Sequence, residues 1–336
     1  MSNRTDQPLV KMAGGAVFSH NPRPNKEHSA NMWFKNACIY SFTKPVDWTA
    51  ETLEAALSEA GFQPCGKTQP ASMGWTSPTP QPEGPLAWQQ GPHIFIALRK
   101  EERILPASVV KEELAERVAM LEEKEGRKLR KKEKDALKEE LMIELYPRAF
   151  TRQKVTRAWI DTQANRLVVD TATPTRADEF TGFLRQTLGS LPIQLVRTQE
   201  SPVALFTAWL REGAAPAPLS WADQAELRAE GDDTVIRVKG AGQLADAVQA
   251  HLEDEMVVTR LALNCDDRIA CVAAEDLKLR AIKPLQQDDD AAYTGADEDP
   301  MIRFDADVAL MTAELGGLIN ALIEALGGED QADIIR

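Results

Sequence analysis

The sequence predicts an α+β fold of mixed helices and antiparallel strands. Apolar or alternating runs read as strands, helical stretches fall between them, and no regular βαβ rhythm orders the two. MWFKNACIYSF from Met32 reads as the first buried strand. TAETLEAALSEAG follows as a helix, with Thr49 as N-cap, Leu53, Ala56, Leu57 and Ala60 on its apolar side and Gly61 as terminator. A proline-rich loop is expected up to Pro92, then a strand at HIFIAL, then a long charged helical region from Pro106 to about Tyr146. AWIDTQANRLVVDT alternates around Gln163–Asn165 and predicts a β-hairpin, with a helix over Ala177–Leu188 behind it. Residues 213–220, GAAPAPLS, read as a linker or surface loop. TVIRVKG, MVVTRLALN and RIACVAA then predict strands, with a helix between the first two and a turn at Cys265–Asp267 between the last two. Residues 286–300 are acidic and turn-rich, and a last apolar helix runs from about Asp307 to Leu326.

A chain of 336 residues with 43% hydrophobic content can bury a sizeable interior in two or three domains. The expected organisation is a disordered extension at 1–31, a first part of the α+β body at 32–105 and a charged helical segment at 106–150. A hairpin–helix region at 151–212 and a C-terminal α+β region at 213–336 follow, the latter carrying the acidic loop and final helix. No run approaches the roughly 18 to 20 consecutive apolar residues of a membrane span, and no apolar block with a cleavage site opens the chain. A cytoplasmic protein without a membrane partner is the expectation. Cys38, Cys65, Cys265 and Cys271 form no C-x-x-C pair and only four histidines are present, so reduced thiols and no zinc site are expected.

GFQPCGKT at 61–68 satisfies the phosphate-binding P-loop pattern letter for letter. A working loop takes a strand in and a helix out, whereas here a helix precedes it and Pro70, Pro78, Pro80, Pro82 and Pro85 follow it. Pro64 also removes one backbone donor. A P-loop ATPase or GTPase is therefore the alternative, not the leading reading.

The formal net charge of −13 argues against a nucleic-acid partner as an average. Locally the balance inverts: between Arg127 and Arg157 eleven basic residues face five acidic ones, a net +6. At helical spacing Arg127, Lys131, Lys134 and Lys138 share a stripe that continues into Leu141 and Leu145. YPRAFTRQKVTR then sets Arg148, Arg152, Lys154 and Arg157 around Phe150, an arrangement suited to backbone contact or a partner surface. Arg127, Lys128, Lys131, Lys132, Lys134, Arg148 and Arg152 are the candidate phosphate contacts from this region. The blander readings are a solvated helix face with internal ion pairs and a core Phe150, or a scaffold whose basic helix meets an acidic protein. The opposite charge collects at Asp288, Asp289, Asp290, Asp297, Glu298, Asp299, Asp305 and Asp307. A two-metal nuclease needs such clustering, but most of these residues fall in a turn-rich run, and Asp305 and Asp307 suit the N-terminus of the last helix. No metal, cofactor or catalytic residue is expected.

MWFKNACIYSF, MGW at 73–75, ALRKEERILP at 97–106, KLRKKEKDALKEE at 128–140 and LYPRAFTR at 145–152 resemble the bacterial recombination-associated protein RdgC family. So do LGSLP at 188–192, VIRVK at 235–239, VVTRLAL at 257–263 and RFDADVALMTAEL at 303–315. The resemblance covers the chain from Met32 onward. It implies a multi-lobed α+β subunit of a ring-shaped homodimer with a positive central hole. Such a ring binds single- or double-stranded DNA without sequence preference, competes with RecA for it, is associated with the nucleoid and has no enzymatic activity. It further implies that Phe150 sits at a subunit contact gating the ring, and that Arg237 and Lys239 lie on the DNA-facing side. Where members carry another basic residue and an amide after that lysine, this chain has Gly240 and Ala241.

Overall fold

Two antiparallel sheets organise the residues that the computed structural model describes, namely 32–229, 231, 234–240, 244–285 and 299–330. The expected extension at 1–31 and the acidic run at 286–298 lie outside them. The first sheet contains β1 (Cys38–Phe42), β2 (Ala71–Thr76), β3 (Ala87–Gln90), β4 (His93–Ile104), β5 (Phe150–Asp161), β6 (Arg166–Val169) and β7 (Ile193–Leu195). Its order is β2-β4-β5-β6-β1-β7, with β3 pairing the other end of the β4 edge that β2 occupies. The second contains β8 (Leu219–Arg228), β9 (Val235–Lys239), β10 (Val257–Cys265), β11 (Ile269–Ala274) and β12 (Leu279–Pro284), in the order β12-β11-β10-β8-β9. Seven helices occur among the described residues: α1 (Ala50–Ser58), α2 (Ala107–Glu125), α3 (Lys131–Leu145), α4 (Pro174–Leu188), α5 (Pro202–Glu212), α6 (Leu244–Glu253) and α7 (Pro300–Ala325). The fold is α+β.

Period-2 alternation gives the first sheet two different faces. Ile94, Ile96, Leu98, Ala158, Ile160 and Leu167 pack with Leu53 and Leu57 of α1 and Phe180 and Leu184 of α4. Phe95, Trp159 and Val168 instead join a larger core that includes Leu227, Leu261 and Leu263 of the second sheet. α7 threads that core through Phe304, Val308, Met311, Leu315, Leu318 and Leu322. By length and composition α7 could cross a membrane. Its nine buried residues make it a core helix here.

β4 and β5 pair along all twelve residues, from His93 opposite Asp161 to Ile104 opposite Phe150, a ribbon of about 40 Å. The chain between them forms the helical hairpin α2–α3, which buries only Val110 and Leu141. Gly126, at φ +65°, ends α2 and splits the long charged helix expected from the sequence. Arg127 consequently lies in the link between helices and not on a stripe with Lys131.

Several expectations change in the structure. α1 begins behind a Thr49–Thr52 capping box but ends at Glu59, and Gly61 bridges to Trp75 instead of capping it. The proline-rich stretch contains β2 and β3, because its prolines sit outside the ladder. α7 starts at Pro300 behind Asp299, whose carboxylate accepts from the Met301 N–H, so Asp305 and Asp307 lie inside the helix and not at its N-terminus.

Gly74 has a strict requirement. A Cβ there would lie 2.5 Å from Phe62 Cα, where the chain from α1 crosses β2. Gly74→Ala is expected to destabilise by about 3 kcal/mol, the upper range for overpacking, because backbone cannot rotate away as a side chain can. Urea unfolding measures it.

Candidate nucleic-acid interface

The face of the second sheet turned away from α7 gathers cations from four strands. Leu227, Ile236, Leu261, Ala273 and Leu279 point into the core or pack on it, so their neighbours Arg228, Arg237, Lys239, Arg260, Arg280 and Lys283 share the opposite face. Register places Arg237, Glu226 and Arg260 in one row across β9, β8 and β10, with Lys239 beside Gln224. Glu226 Oε2 accepts from Arg237 Nε at 2.7 Å and from Arg260 Nη1 at 3.1 Å. Burial pushes the Glu226 carboxyl up, but the two arginines and Thr259 outweigh it and hold it below its ordinary value. Arg237 and Lys239 are exposed, and Arg228 pairs with Glu275 at 3.1 Å. The sequence reading named Arg237 and Lys239; it missed Arg260, Arg280 and Lys283, which only strand pairing brings beside them.

The helical hairpin as a whole has no positive excess, because the acidic residues of α2 and α3 offset the cations of the link and of α3. Arg127 pairs with Glu125 at 2.8 Å and Glu133 at 2.7 Å, while Lys128 and Lys134 share Glu122 at 2.8 and 3.2 Å. Lys131, Lys132 and Arg148 are exposed. The lysine pairs, together with the Leu129 N–H, draw the Glu122 carboxyl down to about 2; Arg127 and the Arg130 N–H do the same for Glu133. A carboxyl lowered on folding stabilises above its unfolded value of 4.5 and loses that contribution as pH falls through the folded one. The Leu129 and Arg130 amide signals are therefore expected to titrate near pH 2 and not near 4.5, as an NMR pH series reads directly.

The run after the hairpin is strand, so its side chains alternate instead of surrounding Phe150. Phe150, Arg152 and Lys154 fall on one side, and Lys154 lines a cleft of about 60 Å³ with Lys100 and Arg176. Arg152 lies 3.5 Å from Glu102. Arg157 points the other way and is half-buried beside Asp170, whose Oδ1 accepts the Lys35 and Asn36 N–H groups at 3.1 Å each. Burial depresses the pKa of Arg157 and raises that of Asp170. Asp170 thus anchors the chain before β1, and Arg157 beside it is only partly exposed.

At the end of the ribbon Phe150 is 85% exposed, directly across from Ile104 at 45%. Val109, Met120 and Ile143 of the hairpin are also exposed. The turn leading to Phe150 is tied down by Arg103, whose Nη1 donates to the carbonyls of Tyr146 at 2.7 Å and Ala149 at 3.3 Å. The same guanidinium takes the carbonyls of Gly66 and Gln69, and Glu101 accepts the Cys65 N–H at 2.6 Å. GFQPCGKT thus braces the ribbon with its Gly66 carbonyl turned to a cation, and β2 rather than a helix follows it. Among the described residues no group of three or more His, Cys, Asp or Glu is placed to hold a metal ion.

The profile of the family described as "Putative exonuclease, RdgC" matches residues 32–329. The chain belongs to the RdgC family. A Recombination-associated protein RdgC from Aeromonas hydrophila subsp. hydrophila is 42% identical over 306 residues, covering 90% of this chain and all of the relative. The RdgC of Psychromonas ingrahamii is 41% identical over 303 residues, covering 89% and 99%. That of Yersinia pestis (strain Pestoides F) is 41% identical over 302 residues, with the same coverage. Both sheets and all seven described helices fall within the family match.

Proposed function

We propose that this protein binds DNA without sequence preference as a homodimer closed around it, and restrains RecA-dependent recombination by occupying the DNA RecA requires. The cation face of the second sheet carries the reading: six basic side chains on one surface of an acidic protein, suited to phosphate contact. Lys131, Lys132, Arg148, Arg152 and Lys154 add phosphate contacts from the hairpin and ribbon. The protein acts by occupancy, needs no cofactor and resides with the nucleoid in the cytoplasm.

A two-fold ring with a hole needs two separate isologous contacts. Two exposed apolar surfaces suit them. One is Phe150 with Ile104 at the ribbon end. The other runs along α7 through Ile302, Ala306, Leu310, Ala313 and Gly317. Trp159 touches α7 at Gly316, and Phe150 is nine residues further along β5, so the two contacts are about 30 Å apart along the strand.

A salt titration of binding to random-sequence DNA tests the reading. Affinity should fall linearly on logarithmic axes with a slope of several phosphates. Affinity indifferent to salt, or no binding at low salt, overturns it. DNA retention unaltered by Glu at Lys131, Lys132 and Lys134 together with Arg237 and Lys239 favours the protein scaffold instead, and degradation of end-labelled DNA with Mg²⁺ favours the exonuclease of the family's description.

A further inference from the structure

We propose that Glu226 is an internal competitor for DNA phosphate, holding Arg237 and Arg260 at a fixed separation and limiting how tightly they bind the backbone; this rests on the DNA-binding reading above. The geometry is layered. The Glu226 side chain is 8% exposed, at the floor of the sheet face, while Arg237 above it is 72% exposed and Arg260 38%. One carboxylate oxygen takes both guanidinium groups, and the other lies 3.4 Å from Thr259 Oγ1. β8 lies between β9 and β10, so the two arginine backbones are two strand spacings apart, about 10 Å, while their guanidinium groups converge on one carboxylate oxygen.

Each guanidinium has five N–H donors and gives one to Glu226, so its donor capacity exceeds what that carboxylate uses. A phosphate therefore meets two pre-positioned forks with a negative charge directly beneath them. It gains their hydrogen bonds and at the same time is repelled by the carboxylate, so binding is a partial exchange of partners. For a protein that binds any sequence, such a counter-charge keeps contacts strong enough to form and weak enough to release.

Glu226→Gln keeps an oxygen acceptor for both arginines and removes the charge. Duplex of random sequence at about 100 mM salt should bind the variant roughly three- to tenfold more tightly, with a salt slope steeper by up to about 0.9. Glu314→Gln makes the same change of net charge on α7, where Glu314 pairs with Arg268, and should stay within about twofold. Unchanged or weaker binding by Glu226→Gln, or an equal gain from Glu314→Gln, overturns the proposal while leaving DNA binding itself intact. Wild-type protein that fails to bind at low salt overturns the underlying reading. Should Glu226→Gln fail to fold, side-chain NMR of the wild type decides: DNA should shift the Arg237 Nε–H signal, and an unmoved signal overturns the competition.

Discussion

Phe150→Ala is expected to open the ring without unfolding the subunit. At 85% exposure the ring makes little contact within its own chain, so the unfolding midpoint should change by no more than about 0.5 kcal/mol equivalent. Buried in a subunit contact, the same side chain stabilises by about 2 kcal/mol, and a two-fold contact counts it twice. Closure should therefore weaken by roughly 10²- to 10³-fold, while the α7 contact keeps the protein dimeric. Sedimentation should still report a dimer, but retention on sealed circular DNA after a salt wash should drop to that on linear DNA. Loss of folding, or undiminished retention, contradicts the assignment of Phe150 to the gate.

Arg237→Glu with Lys239→Glu is expected to lower DNA affinity by at least 10²-fold and to reduce the salt slope by about 2, one unit per lost phosphate contact. Both are exposed on β9, so the fold should persist, at a stability lowered by the loss of the Arg237–Glu226 pair. The reversal also leaves Glu226 with Arg260 as its remaining arginine partner and places a new carboxylate above it. Glu at Lys128 and Lys134 should do much less, because Glu122 already neutralises part of that cluster in the free protein. Fluorescence anisotropy at several salt concentrations separates the two outcomes. Equal losses would shift the DNA path to the helical hairpin.

The contrast between these cation groups shows what the sequence could carry. Elements whose signal is local were legible: the Thr49 cap, the apolar run of β4, the β5–β6 turn, and α7 with its long apolar period. β8 was not, since LSWADQAELR has an interrupted alternation and its pairing with β10 shifts register twice. β2 and β3 were hidden among prolines that flank the strands without entering them. For the site, charge counting found the hairpin because its cations are neighbours in sequence; the ion pairs weighed as its blander reading are present, but they run between the link and the two helices through Glu122, Glu125 and Glu133. It passed over Arg260, Arg280 and Lys283 for the converse reason: they are dispersed along the chain and meet Arg237 only across strands. Arg157 was misplaced because a face depends on parity, and an odd position among even ones turns it to the opposite side, where it is half-buried.

Retention of the wild-type protein on DNA of closed and open topology tests the ring most directly. Protein loaded at low salt onto sealed circles and onto linear DNA of the same sequence, then washed at high salt, should remain on the circles and slide off the linear molecules, because the wash removes the phosphate contacts but not the enclosure. Equal loss from both would contradict encirclement and reduce the protein to a cationic surface that sits on DNA without closing around it.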